Sequence, residues 1–180
     1  MAGPKPSPAY VPGRDCTDCT LCCTILKIPT LKKPSNQHCP HAKANIGCGI
    51  YSQRPGECAA FNCGFLLEPS LGPHWRPNRA RIVLRFDDAV GRIEAHVDPD
   101  APDAWRAEPY YSELKIWARA GAPHGHFVFA VVKGELIAIL PDREKVLGPL
   151  APNQMLTGLR RQTPDGVIYD VIMEDEPDGV

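Results

Sequence analysis

Four cysteines stand close together in the segment Cys16-Thr-Asp-Cys19-Thr-Leu-Cys22-Cys23, on which the interpretation of the whole chain depends. In a helix that turns about 100° per residue, these four side chains would share one arc of about 120°. In a loop, the Cys-x-x-Cys spacing would also direct two thiolates at one ion. Either geometry brings soft sulfur ligands together, which favours zinc or iron over magnesium or calcium.

The other four cysteines follow within a short distance, at Cys39, Cys48, Cys58 and Cys63, and the 117 residues after Cys63 contain none. A disulfide-bonded secreted protein would spread its bridges across the fold, and the N-terminus has no apolar segment typical of a secretory signal. We therefore predict a cytoplasmic protein whose eight cysteines bind metal, rather than one with disulfides or unrelated buried thiols. The eight thiolates could form two four-sulfur sites, or one cluster with spare thiols.

The second half of the cysteine segment has a specific form, Cys48-Gly-Ile-Tyr-Ser-Gln-Arg-Pro-Gly-Glu-Cys58-Ala-Ala-Phe-Asn-Cys63. Together with the first four cysteines it resembles the motif of the YkgJ-type cysteine-cluster proteins, Cys-x-x-Cys-x-x-Cys-Cys followed by Cys-x-Ile-Tyr-x-x-Arg-Pro-x-x-Cys-x-x-Phe-x-Cys. The resemblance covers about residues 16–65, roughly a third of the chain. It implies a domain that chelates zinc or iron, the iron either as an ion or in a 4Fe–4S cluster, with the cysteines as ligands.

The resemblance leaves more than one function open, because the same domain type occurs in flagellin lysine N-methylases. In the first interpretation, thiolates fill every position of the metal, and the protein has a structural or metal-handling role. The alternative is an iron–sulfur-dependent enzyme resembling the lysine N-methylases, or a redox protein, either of which needs an exchangeable position or a redox-active iron. A zinc-ribbon-like adaptor for protein or nucleic acid is a third interpretation.

Other residues in the same segment have possible roles beside the metal. The guanidinium of Arg54 would donate to thiolate sulfurs and offset the negative charge of the site, while Tyr51 and Phe61 would shield it from water. His38 and His41 flank Cys39-Pro40, so one of them either replaces a cysteine as ligand or both are exposed loop histidines. Lys32-Lys33 is interpreted as a solvated pair.

Composition divides the chain into three parts. Residues 1–12 form a predicted flexible, proline-rich tail, residues 13–70 a cysteine-cluster metal-binding module, and residues 71–180 an α+β part that packs on the module as one unit. Large apolar residues (Val, Ile, Leu, Met, Phe, Tyr and Trp) number 15 in residues 1–70 and 37 in residues 71–180. The module therefore lacks core material, and bound zinc, which contributes about 10–16 kcal/mol in small modules, would stabilise it.

The predicted fold class is α+β, with an irregular or helical cysteine-rich module followed by an antiparallel sheet and one main helix. Alternating apolar residues predict strands, and an apolar stripe closed by Gly121 predicts a helix that begins at Tyr110. A short helix is predicted from Asp142 to Gly148. His124-Gly-His126 is either a second metal site or a loop that leads into a strand. The predicted strands cover 81–86, 92–97, 127–132, 135–140, 159–163 and 167–173.

Charge and hydropathy limit the partners. The 20 Lys and Arg and 21 Asp and Glu give a net charge of −1, which argues against nucleic acid as the main partner. No apolar run approaches the roughly 18 residues that a membrane span needs. Motifs for dinucleotides, phosphate loops, serine hydrolases and zinc proteases are absent from the sequence. A metal ion is the one partner that the sequence predicts, and no feature identifies a protein partner.

Overall fold

A computed structural model of the chain describes residues 10–44 and 46–176. Residues 1–9 of the predicted proline-rich tail lie outside the described residues. No helix in the described ranges combines the length and apolar character needed to cross a bilayer. The helices in these ranges are α1 (Leu21–Ile25), α2 (Gly56–Ala60), α3 (Gly64–Leu67), α4 (Pro77–Ala80) and α5 (Tyr110–Gly121). Single 3₁₀ turns cover Pro29–Leu31, Tyr51–Gln53, Pro73–Trp75, Ala104–Arg106 and Ala122–His124.

The strands form one central sheet and two hairpins. They are β1 (Ala42–Lys43), β2 (Gly47–Cys48), β3 (Ile82–Asp87), β4 (Arg92–Val97), β5 (Phe127–Val132), β6 (Glu135–Ile139), β7 (Glu144–Gly148), β8 (Gln154–Thr163) and β9 (Gly166–Asp175). The central sheet has the order β3-β4-β5-β6-β7, β1 pairs with β2, and β8 pairs with β9. With α5 as the main helix, this arrangement confirms the predicted α+β class.

One pairing in the central sheet is not antiparallel. Strands β4 and β5 run parallel, with Ala95 opposite Ala130, whereas the other neighbours in the sheet are antiparallel. The chain between β4 and β5 contains α5, and parallel neighbours need such a crossover because a tight turn reverses the chain direction. The sheet is therefore mixed at its centre.

The predicted short helix from Asp142 to Gly148 is wrong, because this segment is strand β7. Its backbone pairs with β6, with Val146 opposite Ile137, so that the sheet satisfies the backbone groups that a helix would have satisfied internally. The last hairpin is also longer than predicted, since β8 and β9 extend to Gln154 and Asp175. Helix α5 and strands β4 and β5 have the predicted bounds.

Apolar side chains cover both faces of the central sheet. On one face, Leu114 and Ala118 of α5 belong to the same hydrophobic cluster as Ala130 and Ile139. On the other face, Val171 of β9 packs with Phe129 and Ala138. The sheet is thus the middle layer between α5 and the β8–β9 hairpin.

Strand β3 is an edge strand, and the cysteine-rich residues contact both of its faces. Leu21 and Ile25 of α1 pack on Val83, while Phe65 of α3 shares a cluster with Leu84. The approach is close, because a Cβ atom on Gly64 would lie 2.3 Å from a carbon of the Phe86 ring. Residues 13–70 are therefore joined to the sheet through β3.

Candidate metal centre

The eight cysteines lie within the described residues, and all are free thiols. Seven of them line one cavity of about 60 Å³: Cys16, Cys19, Cys22, Cys23, Cys39, Cys48 and Cys58. The eighth, Cys63, lines an adjoining cavity of about 20 Å³ together with Cys16, Cys19 and Cys22. Each of the eight cysteines predicted to be ligands therefore lines at least one of two adjoining cavities.

The first four cysteines do not lie on one helix. Helix α1 contains only Cys22 and Cys23, while Cys16 and Cys19 precede it in turns. The carboxylate of Asp15 accepts hydrogen bonds from the backbone N–H and the hydroxyl of Thr17, at 3.1 and 2.6 Å. Such a side-chain turn competes with helical hydrogen bonding, so the loop geometry of Cys-x-x-Cys is the one that forms.

The later cysteines come from separate short elements. Cys39 is 7% exposed and its carbonyl oxygen accepts from Ala42, which begins the β1–β2 hairpin. Cys48 ends that hairpin, opposite Ala42. Cys58 lies on α2, and Cys63 stands directly before α3. Because none of these elements exceeds five residues, contacts with other parts of the chain must position them.

Two contacts fix the loop that carries Cys16 and Cys19. The guanidinium of Arg14 donates to the carbonyl oxygens of Phe65, Glu68 and Leu71, at 2.6, 2.9 and 2.6 Å. Asp18, between the two cysteines, pairs with the guanidinium of Arg76 next to α4. The loop is thereby tied to α3 on one side and to the residues before β3 on the other.

Burial is the main influence on the pKa of four of the thiols. It raises the pKa of four cysteines above the ordinary value: Cys16, Cys19, Cys58 and Cys63, the last to about 11. The adjacent pair behaves differently, because a hydrogen bond between their side chains raises the pKa of Cys22 and lowers that of Cys23 to about 7. Without metal, Cys23 is therefore the thiol most readily ionised in this group.

The side chain of Lys33 is buried beside the thiols, although the sequence suggested a solvated lysine. The residue is 5% exposed, and its ammonium donates to the carbonyl oxygens of Thr24, Leu26 and Pro34 at 3.0, 2.5 and 2.8 Å. An ammonium has three N–H donors, so three acceptors match its charged form. Among the ion pairs of the described ranges, none joins this ammonium to a carboxylate.

The charge of Lys33 acts on cysteines. Burial lowers the pKa of its ammonium, and the opposing electrostatic effect comes from Cys39, Cys23, Cys58 and Cys22. A buried cation needs compensating negative charge nearby, and these sulfur atoms are the groups placed to supply it. Neither the spacing nor the composition of the sequence distinguishes Lys33 from the exposed Lys32.

The side chain of Arg54 lies on the larger cavity, as Tyr51 and Phe61 also do. Its guanidinium carbon is 4.0 Å from the centre of the Tyr51 ring. Burial raises the pKa of the Cys16 thiol, and the charge of Arg54 acts in the opposite direction. The guanidinium is thus close enough to influence a sulfur of the candidate site, which is the place that the sequence predicted for it.

The histidines separate into different environments. His41 lines the larger cysteine cavity, whereas His38 turns away from it, with its Nδ1 3.0 Å from the hydroxyl of Thr24. His124 and His126 border a distinct cavity beside Trp117. Within residues 10–44 and 46–176, no three His, Cys, Asp or Glu side chains have, in their present conformations, an arrangement that could hold one metal ion.

The chain was compared with known protein families, with curated proteins and with solved structures, and none of the three comparisons found a match. The resemblance to the YkgJ-type proteins rests on the cysteine motif of residues 16–65 and stays a prediction.

Proposed function

We propose that this chain is a metal-binding cysteine-cluster protein in which thiolates hold zinc or iron, the iron as an ion or in a 4Fe–4S cluster. The observation that carries the proposal is the convergence of eight free thiols, spread from Cys16 to Cys63, on two adjoining cavities. Short elements with little apolar surface bring them together, which is the condition in which a metal stabilises a fold. The role we favour is structural or metal-handling.

The chemistry of the donor set supports this proposal. Thiolates are the preferred ligands of zinc, iron and iron–sulfur clusters, and four of them around Zn²⁺ carry a net charge near −2. The buried ammonium of Lys33 would offset part of that charge. The larger cavity, at about 60 Å³, has room for several atoms, since one water-sized occupant needs about 10–15 Å³.

Loading would require the thiols to turn toward a common centre. Each cysteine side chain has a single rotatable bond before its sulfur, and we propose that rotation about this bond supplies the movement. In the loaded state Arg54 would hold a thiolate by its charge, and Tyr51 and Phe61 would limit the access of water. A reducing cytoplasm, which we propose as the setting, would keep the thiols available.

A second candidate function is an iron–sulfur enzyme or redox protein of the kind found in the lysine N-methylases. The observation in its favour is the outer wall of the larger cavity, where Tyr51 is 48% exposed and stacks with Arg54. Solvent or a substrate could reach the sulfurs from that side. A bound cluster would supply the electron transfer, while these residues would control access to it.

The test is purification of the full chain without air, followed by elemental analysis and a visible absorption spectrum. Stoichiometric zinc in a colourless sample supports the structural role, and a brown sample with broad visible absorption supports the iron–sulfur candidate. Cys39→Ser should lower the metal content, and Thr157→Ser on the distant β8–β9 hairpin should leave it unchanged. A metal-free, reduced protein that keeps its full structure in chelator would contradict the proposal.

A further inference from the structure

The eight cysteines separate into two groups of four by the cavity they line. One group surrounds the smaller cavity, beside Phe65, Leu66 and Val83: Cys16, Cys19, Cys22 and Cys63. The other group borders only the larger cavity: Cys23, Cys39, Cys48 and Cys58. The first three members of the first group also line the larger cavity, so the two spaces share one wall.

Helix α1 explains why the division falls between adjacent residues. Successive side chains on a helix point about 100° apart, so Cys22 and Cys23 cannot face the same centre equally. Cys22 packs against the cluster of Leu21, Ile25 and Val83, as Cys19 and Cys63 do, whereas Cys23 is not part of that cluster. The vicinal pair therefore stands at the boundary of the two cavities, since Cys22 lines both of them and Cys23 only the larger one.

We infer that the eight cysteines form two separate four-thiolate sites, an inner site of Cys16, Cys19, Cys22 and Cys63 and an outer site of Cys23, Cys39, Cys48 and Cys58. This inference rests on the proposed function, because it divides the ligands of the same metal-binding segment. The inner site lies where the segment packs on β3, and its cavity of about 20 Å³ has room for a single ion.

The electrostatic surroundings of Cys58 and Cys63 follow the same division. Burial is the main cause that raises the pKa of the Cys63 thiol, and a backbone hydrogen bond from Leu66 opposes it. The charges of Cys16 and Cys19 raise this pKa further. Burial raises the pKa of the Cys58 thiol, and the charges of Cys23, Cys39 and Cys48 raise it further. For these two thiols the neighbouring cysteines belong to their own group. The thiol of Cys22, at the boundary, responds to Cys23 before Cys19 and Cys63.

The two sites differ in charge compensation and in access. The buried ammonium of Lys33 interacts electrostatically with Cys39, Cys23 and Cys58 of the outer site. The cavity of this site also borders Arg54, whose charge acts on Cys16 of the inner site, and the exposed Tyr51. The inner site borders core residues of α3 and β3 on one side, and the exposed Asp15 also lines its cavity. We expect the inner ion to hold residues 13–70 against the sheet and the outer ion to exchange first. Each site would take one Zn²⁺, form four Zn–S bonds and release its thiol protons to solvent.

The test is titration of the reduced full chain with Zn²⁺, followed by native mass spectrometry and by mapping with N-ethylmaleimide. We expect two ions per chain. A limiting amount of chelator should then increase modification of the outer four cysteines by on the order of tenfold, while the inner four stay protected. Mapping the wild-type chain keeps the test independent of variants that fail to fold.

Matched variants assign each ion to its site. Cys58→Ser should retain one ion and protect only the inner group, and Cys63→Ser should retain one ion and protect only the outer group. One ion per chain, or eight cysteines that lose protection together, would overturn the division while leaving the proposed function intact. Failure to bind Zn²⁺ at all, together with failure to take up iron and sulfide, would overturn both.

Discussion

A Cβ atom placed on Gly47 would lie 2.1 Å from the carbonyl oxygen of Thr17. Gly47 also has a φ of 105°, in the region that side chains disfavour. The close approach of Gly47 to Thr17 places the β1–β2 hairpin, which contains Cys48, against the loop between Cys16 and Cys19. A glycine in the second half of the cysteine segment therefore determines how closely that half approaches the first.

Replacing this glycine should separate the two halves. We expect Gly47→Ala to lower the free energy of unfolding by at least about 2 kcal/mol, because both the backbone strain and the clash with Thr17 oppose the native contact. Thermal or urea unfolding of the full chain measures the effect. Gly56→Ala is the matched control, since a Cβ there meets nothing within 4 Å. Equal stability of the two variants would show that the close approach has no energetic role.

The forked guanidinium of Arg14 should be required for the full stability of the protein. Arg14→Lys keeps the charge but cannot reach the three carbonyl oxygens of Phe65, Glu68 and Leu71 together, so we expect a loss of about 2–3 kcal/mol in urea unfolding. Arg161→Lys, on the exposed part of β8, is the control and should change stability by less than about 0.5 kcal/mol. A similar loss in both variants would argue against the role of the fork.

Cys23 should be the first thiol to react in the metal-free, reduced protein. The hydrogen bond from Cys22 and the charge of Lys33 hold its pKa near 7, whereas burial raises the pKa of Cys63 to about 11. Near pH 7 about half of Cys23 is therefore thiolate, the form that iodoacetamide attacks. Mass mapping after a short exposure should find Cys23 modified first. Lys33→Met should slow that modification, and an unchanged rate would mean that the lysine charge does not reach the sulfur.

Stability should fall in acid because of Glu94. Burial alone would raise the pKa of this carboxyl, but the hydrogen bond from His96 and the charges of His96, Arg85 and Arg92 lower it to about 2. Because the pKa is lower in the folded state, Glu94 stabilises the protein at pH values above the unfolded-state pKa of about 4.3, by about 3 kcal/mol at most. This stabilisation is lost as the pH falls from about 4.3 toward 2.

Unfolding by urea at a series of pH values tests this expectation. Glu94→Gln should be less stable than the wild type near neutral pH, because it leaves the guanidinium groups of Arg85 and Arg92 and the imidazole of His96 without their carboxylate. Its stability should vary less between pH 4.5 and 2. Parallel profiles for the two proteins would assign the acid sensitivity to other groups.

Elements with a local signal were predictable from the sequence. The alternation in Arg92–Val97 and the apolar stripe of Tyr110–Gly121 depend on residues a few positions apart, and both elements have the expected bounds. Strand β7 was not predictable in this way, because Glu144–Gly148 has no alternation of its own and becomes a strand by pairing with β6. The parallel pairing of β4 and β5 is likewise a property of the whole sheet.

In the candidate site, the sequence identified the residue types but not their grouping. The motif predicted Arg54 close to the cysteines, and its guanidinium does border their cavity. No pattern in the sequence predicts the burial of Lys33. The burial results from a single backbone bridge to Ile28 and from hydrogen bonds to carbonyl oxygens of α1 and its neighbours. Cys22 packs on the cluster that contains Val83 and Cys23 does not, a difference that depends on the packing of α1 and that no spacing rule contains.

Strand β3 lies at the edge of the central sheet, which determines what is exposed if the cysteine-rich residues unfold. Helix α1 covers Val83 from one face, and α3 lies against the other. Should the cysteine-rich residues come apart, an uncovered strand edge with its apolar side chains would meet water, and such edges recruit further chains. If metal holds this segment together, as we propose, loss of the metal would lead to insoluble aggregates and proteolysis rather than to an inactive but intact molecule.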